Sequence, residues 1–396
     1  LLDFGADGAR NVLGALSSSL LTFIVFAFST LLLVVQIASA QLTPRVIARV
    51  FEQRITKLTV GAFVFAWLYS LAAIGRIEDR VPQLPVAFAI AASLASIVLF
   101  LRLVQVCSRV LRPISVMSEV ADDTCAVIAG LHPEAFAPHG EDHRMLPDPA
   151  TATGTVRHAG APGVVLAIDL QGLASVAARS GCTLEVVPMV GDFVCSDDPL
   201  FRVHGGSLPP ADEARLAEGV DFGRERTIDQ DPAFGLRVIV DIASKALSPA
   251  INDPTTATLA IDQIQRLLSL LARRRLDAAV VHDPGGRLRL FVRTPDWDDY
   301  VTMAVSEIRL YGATSPQVTR RLQAMLEALA AVVPERRRPA LLSQLALLRG
   351  TVEGAYEDPT DRTQALRADL QGYGHPVQER GDGGPSREDG AAWIRP

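Results

Sequence analysis

The sequence predicts a mainly α integral membrane protein, with N-terminal transmembrane helices followed by a cytoplasmic α+β region that holds an αα-hairpin and a small β module. Three observations point there. Long apolar stretches fill the first quarter of the chain. Basic residues crowd the loop between the first two of them. Beyond residue 112 the pattern changes to short apolar runs, turns and amphipathic helices.

Ala15 to Ala40 (ALSSSLLTFIVFAFSTLLLVVQIASA) carries no charge and is longer than the ~20 residues a bilayer core requires. Leu58 to Gly75 is near the lower limit of a span. Pro85 to Val106 carries a single charge, Arg102, near enough to its end to snorkel to the headgroups. Three such stretches in succession favour spanning over buried core helices. The first has no basic flank and is too long for a signal-peptide core. Residues 1–112 are therefore expected to form the membrane domain, with spans at 15–40, 58–75 and 85–106.

Lys and Arg in short loops set orientation. Arg45, Arg49, Arg54 and Lys57 lie in the first loop, Arg76 and Arg80 in the second, and Arg109 and Arg112 after the third span. The richest loop belongs inside, so everything after Arg109 is expected in the cytoplasm of a multi-pass inner-membrane protein. Leu1 then lies outside, which hints at an earlier span. The spans hold no Asp or Glu, although a cation-coupled transporter usually needs an intramembrane carboxylate. Ala87, Ala91 and Ala95 form a small-residue stripe suited to close helix packing, within or between subunits.

The net charge of −6 argues against nucleic acid as a partner. Cys107, Cys125, Cys182 and Cys195 are widely spaced and read as thiols in a reducing compartment.

Residues 113–162 read as a helix, patterned on Ile114, Met117, Val120, Ala121, Cys125 and Ile128, and then a linker. The linker holds His132, His139, Glu141, Asp142 and His143, whose spacing matches no standard metal site, so no metal is assigned. Residues 163–206 alternate short apolar runs with turns and predict a small β or α+β module. Residues 209–371 are expected to be mostly helical, interrupted by a hairpin over 278–293 around Pro284-Gly285-Gly286. The tail, 372–396, has little to bury and is expected to be disordered.

The most patterned stretch is an αα-hairpin. One helix presents Gly235, Val238, Ile239, Ile242 and Ala246 on one face; the next presents Ala257, Ala260, Ile261, Ile264, Leu267, Leu268 and Leu271. SPAINDP, residues 248–254, joins them. Pro249 ends the first helix, Asp253 suits an N-cap and Pro254 suits the first helical turn. Asn252 is less well explained by those rules. A functional reading gathers Arg224, Arg226, Asp231, Asn252 and Asp253 into one ligand site. The arginines would hold a carboxylate or phosphate, or Asp231 and Asp253 would hold a cation. The structural role of the motif ranks above that reading. No catalytic residue and no cofactor are assigned: the chain shows no Ser-His-Asp order, HExxH, P-loop or GxGxxG.

Asp241-Ile242-Ala243 followed by Ala246 to Thr256-Ala257 through SPAINDP, with Asp231-Pro232-Ala233-Phe234-Gly235, Gly191-Asp192-Phe193-Val194 and Gln41-Leu42-Thr43-Pro44-Arg45, resembles a bacterial family. This is the predicted membrane protein family known as domain of unknown function 2254. The likeness covers most of residues 1–350. It implies several N-terminal spans and a cytoplasmic C-terminal region, with no activity or catalytic residue carried over. Family members often have Gly in the turn after GDFV where this chain has Asp198.

The leading expectation is a homo-oligomeric inner-membrane protein with a cytoplasmic ligand-binding or regulatory region, acting as a channel or transport component. Its expected partners are the bilayer, further copies of itself and a small anion or cation. A membrane-tethered sensor or scaffold without transport is the alternative, and a membrane-associated enzyme ranks last.

Overall fold

The computed structural model describes residues 5–41, 54–78, 81–110, 112–136, 148–276 and 278–369. The tail, most of the basic loop and His139, Glu141, Asp142 and His143 lie outside these residues.

Three long helices come first: α1 (Ala6–Gln41), α2 (Arg54–Ile74) and α3 (Gln83–Val110). Within them Ala6–Thr30, Ile55–Ile74 and Gln83–Val106 are long and apolar enough to cross a membrane. The first of these begins at Ala6 rather than at Ala15. The helices pack as an up-down-up bundle: Thr59 near the start of α2 lies against the Leu99 carbonyl of α3, and Arg10 at the start of α1 reaches the Ile77 carbonyl after α2. Phe63 and Phe100 meet edge to face inside the bundle, their centroids 6.2 Å apart. Ser70, Ser93 and Ser96 are buried and donate to carbonyls four residues earlier, which satisfies their hydroxyls without water. The packed face of α3 is Val86, Ala89, Ser93, Ser96 and Phe100. Ala87, Ala91 and Ala95 are exposed, so among the described residues the alanine stripe lies off the packed face of α3.

Helix α4 (Pro113–Leu131) starts almost where α3 stops. Then follow β1 (Ala152–Arg157), β2 (Gly163–Ile168), α5 (Leu170–Arg179), β3 (Thr183–Val186), β4 (Phe193–Val194), β5 (Pro199–His204), α6 (Pro210–Glu218) and β6 (Val220–Gly223). The hairpin helices are α7 (Pro232–Ala246) and α8 (Pro254–Leu271). The chain continues through β7 (Ala279–His282), β8 (Leu288–Val292), α9 (Trp297–Tyr311), α10 (Pro316–Val332), α11 (Arg338–Ala355) and α12 (Pro359–Ala365).

One apolar core joins α4, α7, α8, α9, α10, α11 and α12; Met117, Ile239, Ile264, Val301 and Leu326 are fully buried in it. Helix α4, expected as a helix from the spacing of Ile114, Met117, Val120, Ala121, Cys125 and Ile128, is thus one of its central members. A second core lies under a five-stranded sheet of order β1-β5-β3-β8-β7, with a three-stranded sheet β4-β2-β6 beside it. Among the described strands all pairings are antiparallel except β3–β8, where Leu184 faces Leu290 and Val186 faces Val292. This sheet region draws on strands outside 163–206. The late hairpin β7–β8 joins it because β8 pairs with β3 across more than a hundred residues.

The helical core has a definite polarity relative to the spans. Asp122 of α4 bonds Arg266 of α8 at 2.6 Å, and Ala135 bridges Arg274, so α4 and α8 run the same way. Gly235 of α7 packs on Thr124 of α4 so closely that a Cβ there would collide with the hydroxyl. From that contact about 16 Å of helix leads back to Pro113 and about 16 Å leads forward to Ala246. The SPAINDP turn is therefore level with the start of α4, beside the end of the last candidate span, and α1 touches α7. The start of α7 and the end of α8 lie at the far end.

Candidate functional site

At that far end, where α4 and α7 meet the sheet, is a cavity of about 490 Å³. Its walls are mostly apolar, from Leu131 and Pro133 after α4 to Val280 of β7 and Val292 of β8. Its polar groups come from several separate segments and include His132, Asp231, Arg275, His282, Arg293 and Tyr300.

Asp231 is the most engaged of them. Its carboxylate caps α7, accepting from the Phe234 N–H at 2.9 Å, and accepts from Arg226 Nε at 2.9 Å and Nη2 at 2.6 Å. Asp231 is 4% exposed. Burial pushes its carboxyl above the usual range, although the Arg226 charge and the Phe234 N–H pull the other way. The Arg226 guanidinium also lies over the Phe234 ring, 5.3 Å from its centroid. Gly191, at φ +94°, closes over this pair: a Cβ there would stand 2.6 Å from both Arg226 Nη2 and Asp231 Oδ2. The GDFV turn is itself fixed by Asp192, whose carboxylate accepts from the Met189 N–H at 2.8 Å. Two short motifs distant in sequence, GDFV and DPAFG, thus meet at one wall of the cavity.

Tyr300 is 1% exposed, and its hydroxyl makes no hydrogen bond among the described residues. Burial, then the charges of Asp231 and Asp299, push its phenol up. Burial pushes the His132 imidazole down; a hydrogen bond to the Arg275 backbone opposes this, and the charges of Arg337 and Arg274 add to it. Arg337, itself buried, stacks on Phe136 and Trp297 and donates to the Leu271 and Arg274 carbonyls at 2.6 and 2.8 Å. The carbonyl end of α8 thereby meets its positive charge.

Arg293 connects the cavity to the back of the sheet. It reaches Glu185, which is fully buried, at 3.5 Å. The same carboxylate already takes Arg202 at 2.7 Å and faces His204 Nε2 at 3.4 Å.

Of the residues singled out from sequence, Arg226 and Asp231 come together here. Arg224 is exposed on the approach to α7. Asn252 and Asp253 lie beyond the other end of that helix, about 22 Å away along its axis. Asp231 and Asp253 therefore cannot share one cation, and the expected joining of SPAINDP to the Arg224 segment does not occur. Asp253 caps α8, accepting from the Thr256 N–H at 3.1 Å and its hydroxyl at 2.6 Å. Asn252 is exposed at φ +49°, a left-handed position that Asn tolerates better than most residues. The N–H groups of Ile251 and Asn252 bond the Ser248 carbonyl, and that of Asp253 bonds the Ala246 carbonyl. Sequence reasoning missed Arg293 and Tyr300. Tyr300 sits on the apolar face of α9 and reads as an ordinary core residue.

The family described as predicted membrane protein (DUF2254) matches residues 1–328. Uncharacterised proteins of Mycobacterium bovis and Mycobacterium tuberculosis are 30% identical over 372 residues, which cover 91% of this chain and 71% of each relative. No solved structure matches. The chain belongs to the DUF2254 family of predicted membrane proteins.

Proposed function

We propose that this is a homo-oligomeric inner-membrane protein whose cytoplasmic region binds a small ligand in the cavity and relays its occupancy to the spans. One observation carries the reading: a single helix, α4, begins at the end of the last candidate span and ends in the cavity wall. It is packed against α7 and α8 along its length, so it can shift as a unit. The basic first loop supports a cytoplasmic cavity. The exposed alanines at 87, 91 and 95 support contact between subunits, because small residues let helix backbones approach. A channel or transport role would need that assembly, since one three-helix bundle packs phenylalanine in its own centre.

Two measurements test this. Cys195 is exposed and lies in the sheet region. With the other cysteines replaced, a membrane-impermeant maleimide should label it in inside-out vesicles and spare it in right-side-out vesicles; the reverse pattern would put the cavity on the outer side. A thermal-shift screen of the full chain in nanodiscs should find small ligands whose effect Val280→Phe, which fills the cavity, abolishes. Hits that survive Val280→Phe would locate binding elsewhere.

A further inference from the structure

We infer that the cavity takes a small amphipathic monoanion, its apolar body against the aliphatic walls and its anionic head on Arg293, with the Tyr300 hydroxyl as second donor. This rests on the reading of the cavity as a ligand site and adds the chemistry of the ligand.

Size and lining set the body. A cavity of about 490 Å³ lies within the roughly 300–1,000 Å³ typical of small-molecule sites. Leu131, Pro133, Val190, Val280 and Pro295 favour hydrocarbon or a ring over a sugar or a nucleotide.

Charge sets the head. Among the described residues, the two carboxylates that line the cavity already have cations: Asp231 has Arg226 at 2.6 Å, and Glu134 has Arg275 at 2.9 Å. A cationic ligand would have to compete with a guanidinium at either one. Arg293 is the opposite case. Its partner among the described residues, Glu185, is one negative charge shared with Arg202, which sits closer. Two permanent cations on one carboxylate leave positive charge over, and Arg293, its side chain half exposed, is the one of the two that lines the cavity. Tyr300 supplies the second observation. It is 1% exposed and lines the cavity, and its hydroxyl, with no protein partner among the described residues, is open to a ligand there. A carboxylate would accept from it while pairing with Arg293.

The test is isothermal titration of the full chain in lipid nanodiscs, with empty nanodiscs subtracted, using decanoate, decanol and decylammonium. These share a tail and differ in head charge. Decanoate should bind about tenfold or more tighter than decanol, as a charge-assisted bond implies. Arg293→Gln should erase that preference while leaving decanol binding in place, and Tyr300→Phe should weaken decanoate several-fold. Val280→Phe should reduce all binding. Equal binding of the three probes, each lost in Val280→Phe, would keep the cavity as a ligand site and overturn the anion assignment. No binding of any probe above empty nanodiscs would overturn both. If decanoate binding is untouched by Arg293→Gln in a variant with normal thermal stability, the anion sits elsewhere and the inference fails.

Discussion

Helices α7 and α8 begin with the same two letters, Asp-Pro, and the two starts differ in almost everything else. Asp231-Pro232 and Asp253-Pro254 each place a carboxylate at the N-cap and a proline in the first turn. At the end of the core beside the candidate spans, the Asp253 carboxylate meets only its own neighbour, Thr256, among the described residues. At the far end, Asp231 is buried under Gly191, paired with Arg226, and faces a cavity. Local sequence is enough to start a helix. What makes one start a wall of a site is the long-range closure around it.

Four perturbations sharpen that contrast. Asp231→Ala should cost about 2–3 kcal/mol: the cap contributes about 1 kcal/mol, and a partly exposed Arg226 loses its partner. Thermal or denaturant unfolding in detergent would read this, and a loss no larger than that of Asp253→Ala would erase the distinction. Gly191→Ala should cost about 2 kcal/mol, because it strains a backbone at φ +94° and pushes on Arg226 and Asp231. The same loss in the Asp231→Ala background as in wild type would show that backbone strain, rather than the pair, carries it. Asp253→Ala should cost about 1 kcal/mol and leave ligand binding unchanged. The smallest effect concerns pH. Burial raises the folded-state pKa of Asp231 above its unfolded value near 3.9. Its contribution is therefore full below that unfolded value and is lost as pH rises through the folded one. Relative to Asp231→Asn, wild type should be more stable at pH 4 than at pH 7; a difference of the opposite sign would mean the Arg226 pairing outweighs burial.

Much of the scaffold was legible from residues in a row. The candidate spans, the two apolar faces of the hairpin, the Asp253 cap and the β7–β8 hairpin each depend on spacing within a few residues, and each is present. The function of SPAINDP was half legible. Its prolines and Asp253 announced a helix stop and start, but the reason for Asn252 is a positive φ that no residue spacing reveals. The cavity was not legible, because it is closed by non-local contacts. The parallel β3–β8 pairing brings Arg293 to Glu185, and the packing of α9 carries Tyr300 towards Asp231. Gly191 and Asp231 are forty residues apart, and their meeting adds a second reason, beside the positive φ, why that turn needs a glycine.

In the proposed relay, α4 carries the occupancy of the cavity to the candidate spans. Hydrogen–deuterium exchange of the full chain in nanodiscs, with and without decanoate, tests it most directly. The account predicts slower exchange in the cavity segments around 278–295 and, continuously, along α4 back to Pro113. Protection confined to the cavity, with α4 exchanging as before, would contradict the relay.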